Sequence, residues 1–161
     1  MNLPLPSPQG PDADTPSGTR ATQVAALCWR LRAGAVQVLM ITSRGTGRWI
    51  VPKGWHIDGL DGATSALTEA WEEAGVRGTV APDPVGIYAY TKLLEDGTAQ
   101  PILATLYAVK VRALMKSFPE MAERRRKWMS PRKAAQRVAE AELAALLTDF
   151  KPGVPTGKRA G

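Results

Sequence analysis

A chain of 161 residues with 44% apolar content is long enough for one domain with a sizeable core and short for two. No uninterrupted apolar run approaches the roughly 20 residues of a membrane-spanning helix, and the opening MNLPLPSPQGPDADTPSGTR has neither the basic nor the apolar region of a secretory signal. The net charge of +6, from 21 Lys and Arg against 15 Asp and Glu, favours an anionic partner. The basic residues are not interleaved with aromatics, so nucleic acid is not the partner expected.

Residues 1–20, with prolines among Gly, Ser, Asp and Thr, read as a disordered lead-in. The apolar segments Ala21 to Leu31 and Val36 to Ser43 read as strands, separated by a turn at Arg32-Ala33-Gly34-Ala35. Cys28 is the single cysteine. It cannot form an internal disulfide, reads as a small core hydrophobe, and makes cytoplasmic residence the default. A short extended piece, Arg48 to Val51, leads into a loop, Pro52-Lys53-Gly54 and onward to Gly59. A helix follows over Ala63 to Ala74, stopped by Gly75 at the C-cap.

Strands recur around Arg77–Val80, Val85–Leu93 and Ile102–Val111, with Asp96-Gly97 turning between the last two. Ser130-Pro131 is an N-cap and first helical position, opening a helical stretch through Leu147. The cluster Arg124 to Lys127 reads equally as a solvated face or as an anion contact. Residues 151–161, KPGVPTGKRAG, read as a flexible basic tail. One domain over 21–150, of class α+β with a mixed sheet, is the organisation this order implies.

The helix carries the chemistry. At about 100° per residue, Glu69, Glu72 and Glu73 share an arc of roughly 100°, and Ala63, Leu67, Ala70, Trp71 and Ala74 take the opposite side. A solvated helix would pair such glutamates with bases three or four residues away. Here those positions hold Ser65, Ala66, Thr68, Val76 and Arg77, and only Arg77, beyond Gly75, is basic. Three crowded carboxylates repel unless a cation sits among them, and hard oxygens suit Mg²⁺ or Mn²⁺. In the preceding loop, glycine lets backbone approach a phosphate while Lys53 can neutralise it. Arg44 and Arg48 flank that loop. They could hold a polyphosphate or merely line a turn at Gly45-Thr46-Gly47. His56, the lone histidine, is too little for an imidazole site. Trp29, Trp49 and Trp71 read as core residues, whereas Trp55 and Trp128 either pack or border the pocket.

Residues 54–76 resemble the Nudix box, the loop–helix–loop signature of the Nudix hydrolases. Gly54, Glu69, Glu72, Glu73, Gly75 and Val76 stand at the motif positions, with Ala70 where a larger aliphatic is usual. PKGW and RKWMSPRKAA resemble the branch that acts on diphosphoinositol and dinucleoside polyphosphates. The resemblance implies a Nudix-type α/β/α sandwich and a Mg²⁺-dependent hydrolase (Mn²⁺ as the alternative metal) that cleaves a phosphoanhydride bond in a nucleoside-diphosphate-X or polyphosphate substrate. It implies Glu69, Glu72 and Glu73 as catalytic residues and metal ligands, with Lys53, Gly54, Arg44 and Arg48 on the substrate. Which carboxylate is the base stays open, and Glu95 and Glu120 are candidates outside the box.

Two positions depart from the pattern. Leu60 stands for the first motif glutamate and Thr68 for its arginine, which in the family holds the following glutamate. Losing such a partner typically costs about 10- to 100-fold in metal affinity or activity. A degenerate domain that binds a phosphorylated ligand or partner without efficient catalysis is the competing expectation.

Overall fold

The computed structural model describes residues 21–153. The lead-in expected over 1–20 and most of the tail, 154–161, lie outside the described residues. Eleven elements run in order: β1 (Ala21–Arg32), β2 (Ala35–Thr42), β3 (Trp49–Ile50), β4 (Lys53–Trp55), α1 (Gly62–Ala74), β5 (Val76–Val80), β6 (Gly86–Leu93), β7 (Ala99–Leu114), β8 (Arg126–Met129), α2 (Pro131–Arg137) and α3 (Ala141–Asp149).

β1 is the organising strand because both its faces are apolar. Ala25 and Leu27 enter one core cluster, with Tyr88, Ala134, Leu143 and Leu147. Val24, Ala26 and Cys28 enter another, with Ala66, Ala70 and Ala74 of α1. The period-2 alternation of a strand puts successive residues on opposite faces, so α1 covers one side of the sheet and α2 with α3 the other. The eight strands form one mixed sheet, parallel between β1 and β7 and antiparallel in its other ladders. The expected α+β sandwich is what the chain builds. Among the described residues no helix is long and apolar enough to cross a membrane.

The second edge of β1 is shared. Its end, Trp29–Arg32, pairs with β2, while Gln23–Ala25 pairs with β4. The segment expected as an open loop at Lys53-Gly54 is therefore a short strand, because the start of β1 leaves a ladder edge for it to fill. That pairing presses Gly54 against α1.

Three further expectations are corrected. The C-terminal helical stretch divides at Val138, whose backbone is extended, and α3 restarts at Ala141. The division lets Ala134, Leu143 and Leu147 all reach one core. Arg126–Met129, which takes in the second half of the basic cluster, is a strand paired with β2. On α1, Glu73 lies on the buried side with Ser65 and Ala66, while Leu67 and Trp71 are only half-buried. Cys28 is fully buried, and burial pushes its thiol up to about 12, which suits a core hydrophobe and not a nucleophile.

Candidate active site

α1 opens at Asp61, whose carboxylate accepts the Thr64 N–H at 2.7 Å, and closes at Gly75, in the left-handed region at φ 69°. Both ends are thus fixed by local chemistry. Arg126 adds a third restraint: its Nη1 donates to the Ala74 carbonyl at 2.6 Å and its Nη2 to that of Met115 at 2.9 Å, satisfying a helix-end acceptor. The loop between β4 and α1 is tied down as well. Ser65 Oγ accepts from the Ile57 N–H at 3.0 Å, and a ring nitrogen of His56 meets the Leu60 carbonyl at 2.6 Å.

The glutamates gather where β4 crosses α1. Glu69 lays its carboxylate over Gly54, where a side chain would meet Oε2 at 2.5 Å and Oε1 at 2.7 Å. The Glu69 and Glu73 carboxyls lie close enough to perturb each other, and Glu73 Oε1 also accepts the Lys53 backbone N–H at 3.3 Å. Arg124 approaches Glu73 at 3.8 Å and pairs with Glu120 at 2.8 Å. The Glu120 N–H donates to the Glu72 carbonyl at 3.0 Å.

Desolvation dominates the electrostatics. It pushes Glu73 up to about 8; the charge of Glu69 adds to the rise, while Arg124 and the Lys53 N–H oppose it. Glu69 is also raised, first by desolvation and then by Glu72 and Glu120. Crowded, partly desolvated carboxyls with raised pKa values are a common property of functional sites. Lys53 is lowered by burial, against the pull of Glu73 and Glu140, and its Nζ lies 4.8 Å from the Tyr90 ring centroid.

No family model matches the chain. Nudix hydrolase 13, mitochondrial, of Arabidopsis thaliana is 28% identical over 120 residues, covering 71% of this chain and 59% of its own length. Nudix hydrolase 16, mitochondrial, of the same plant is 33% identical over 104 residues, covering 63% and 57%. Among solved structures, an Ap4A hydrolase of C. elegans shares the fold with a TM-score of 0.58 at 20% identity, covering 81% of this chain and 95% of that one. In sequence the chain is similar to Nudix hydrolases, and it shares their fold. It spans little more than half the length of these curated relatives.

The Nudix helix is α1, and the motif residues meet as follows. Glu69 and Glu73 perturb each other, and Glu72 stands beside Glu69 closely enough to raise its pKa. The Thr68 hydroxyl donates to the Thr64 carbonyl at 3.0 Å, back along its own helix, and so supports neither glutamate. Leu60 is exposed. Of the two outside carboxylates, Glu120 joins the cluster through Arg124, whereas Glu95 sits exposed at the β6–β7 turn.

Arg44 pairs with Glu123 at 3.0 Å on the surface. The Arg48 backbone N–H donates to Ser43 Oγ at 3.0 Å, so both arginines belong to the β2–β3 loop, and neither contacts the Nudix glutamates. The basic cluster is not simply a solvated face. Arg124 is buried against two glutamates and Arg126 is spent on the end of α1.

The tryptophans expected in the core lie half-buried at its margin, each beneath a cation: Trp29 under Lys110, Trp49 under Arg125 and Trp71 under Arg77. Trp128 is likewise half-buried, under Arg30. Trp55 is 45% exposed. A cavity of about 990 Å³ lined by Trp29, Val80, Val85, Leu146 and Phe150 contains none of the Nudix glutamates.

The resemblance to Nudix domains implies a divalent cation. Among the described residues no three metal-ligating side chains converge, yet the Glu69–Glu73 carboxyl pair suits Mg²⁺. This ion takes one or two protein carboxylates and completes its shell from water and substrate phosphate. Arg124 and Glu140 were missed by sequence reading, the first because nothing local marks it as buried and the second because the division between α2 and α3 carries it toward Lys53.

Proposed function

We propose that this chain is a Mg²⁺-dependent Nudix hydrolase that cleaves a phosphoanhydride bond. The observation that carries the reading is the Glu69–Glu73 carboxyl pair on the Nudix helix, held over Gly54. Glu69 and Glu73 would hold the metal, with Glu72 beside them. When bound, the ion draws charge from the phosphoryl oxygens and lowers the pKa of the attacking water. The chain's own residues do the rest. The Lys53 N–H fixes one Glu73 oxygen, and one of the glutamates accepts the proton of the attacking water.

The substrate we favour is a diphosphoinositol or dinucleoside polyphosphate. The net charge of +6 suits a polyanion, as does Lys53 beside the glutamates, with Arg44 and Arg48 of the β2–β3 loop as further candidates for its phosphates. An Ap4A hydrolase among the fold neighbours supports the dinucleoside arm. We place the protein in the cytoplasm on its single, buried and unpaired Cys28.

The test is purified protein with Mg²⁺, offered diphosphoinositol, dinucleoside polyphosphate, nucleotide-sugar and nucleoside triphosphate substrates beside a Glu72→Gln, Glu73→Gln double variant. Metal-dependent turnover that the double variant loses supports the reading. Equal turnover by that variant sinks the site. Ligand binding with no turnover on any substrate favours the binding module that Thr68 and its self-directed hydroxyl suggest.

A further inference from the structure

The Arg124 guanidinium is only 7% exposed and is fixed from three directions. Its Nε donates to Glu120 Oε1 at 2.8 Å, its Nη1 to the Thr42 carbonyl at 3.1 Å, and its Nη2 lies 3.8 Å from Glu73 Oε1. These partners belong to the end of β2, the segment before β8 and the Nudix helix, so one side chain ties three pieces of chain to the glutamate cluster. Meanwhile Thr68, on the Nudix helix itself, spends its hydroxyl on Thr64.

We propose that Arg124 is a positioning residue of this site, orienting Glu73 and Glu120 from outside the Nudix box. The inference rests on the reading of the site as a metal-dependent hydrolase. Its chemistry follows from the guanidinium fork, which presents several donors in fixed directions and stays charged. A buried guanidinium engaged on three sides has no free face for a substrate phosphate, so its role is toward the glutamates. It also offsets one charge among Glu69, Glu72, Glu73 and Glu120. The cluster keeps an excess of carboxylate for a cation while Glu73 is not left as an uncompensated buried charge. Arg44 cannot substitute, because it pairs with Glu123 in solvent, where such contacts are weak.

The experiment compares the full-length wild type with Arg124→Gln, Arg124→Lys and Thr68→Arg. Mn²⁺ binding is measured by electron paramagnetic resonance without substrate, turnover on the panel above, and folding by circular dichroism. Arg124→Gln is expected to weaken Mn²⁺ about 10- to 100-fold and to lower kcat with KM within about threefold. Arg124→Lys is expected to recover part of both. Thr68→Arg would act on Glu69 instead, and is expected not to repair the Arg124→Gln loss when the two are combined.

Unchanged Mn²⁺ affinity in a folded Arg124→Gln overturns the proposal, and so does a rise in KM at constant kcat. So does a wild type that binds no Mn²⁺. Should both Arg124 variants unfold, Glu120→Gln, which weakens the ion pair that holds Arg124 beside Glu73, decides: unchanged Mn²⁺ affinity there overturns the proposal. A wild type that binds Mn²⁺ yet hydrolyses nothing refutes the hydrolase reading, while the Mn²⁺ comparison still judges Arg124.

Discussion

Gly54 lies directly beneath the Glu69 carboxylate, so that a methyl group on its Cα would stand 2.5 Å from one oxygen and 2.7 Å from the other. The first glycine of the Nudix box is therefore a space requirement. Its backbone is extended in β4, and any residue could adopt that conformation; only hydrogen leaves room for the glutamate. Gly54→Ala is expected to push Glu69 off its position and lower kcat by about 10- to 100-fold. Stability should change by less than about 1 kcal/mol, because the Glu69 carboxylate is the free end of a flexible side chain and can move aside. Kinetics and a denaturant melt check both, and unchanged kcat would remove Glu69 from the site.

Glu73 gives a pH signature. Its folded-state pKa is raised to about 8 from an ordinary 4.5, chiefly by desolvation, so between these values the folded chain holds more protons than the unfolded one. Stability then falls as pH rises through that window, the reverse of the usual salt-bridged carboxylate. The metal-free protein is expected to melt lower at pH 8.5 than at pH 6, and Glu73→Gln should flatten that difference. Mg²⁺ binding at neutral pH should release protons, which calorimetry in buffers of different ionisation enthalpy detects. An identical pH slope in Glu73→Gln would assign the effect to another group.

Arg126 closes the Nudix helix from outside by donating to the Ala74 and Met115 carbonyls. Arg126→Met keeps the aliphatic stem and removes the donors, leaving those acceptors under-satisfied. A loss of about 1–3 kcal/mol is expected, with a smaller effect on Mn²⁺ affinity than Arg124→Gln. A variant as stable as the wild type would mean that solvent replaces the guanidinium.

Ser65 is fully buried and accepts the Ile57 N–H, the bond that holds the loop ahead of the helix. Ser65→Ala should cost about 1–3 kcal/mol and speed amide exchange at Ile57. Unaltered exchange there would show that the loop is held by other contacts.

How much of this was legible beforehand divides along physical lines. The sequence by itself determined the segments that carry their own signals: the apolar runs of β1 and β2, the Asp96-Gly97 turn, the Gly75 stop, the Ser130 cap, and the spacing that puts Gly54 before three glutamates. Each depends on neighbours a few residues away, where propensity, periodicity and cap chemistry act. Only the tertiary structure decided that Lys53-Gly54 becomes a strand, because β1 has to offer the edge. It likewise decided that Glu73 is buried, since α1 rotates toward the sheet on its alanines. Arg124 is the furthest from sequence reasoning. Among its basic neighbours it looks like a surface cation, and only the meeting of β2, α1 and the segment before β8 removes it from water and brings its charge to Glu73 and Glu120.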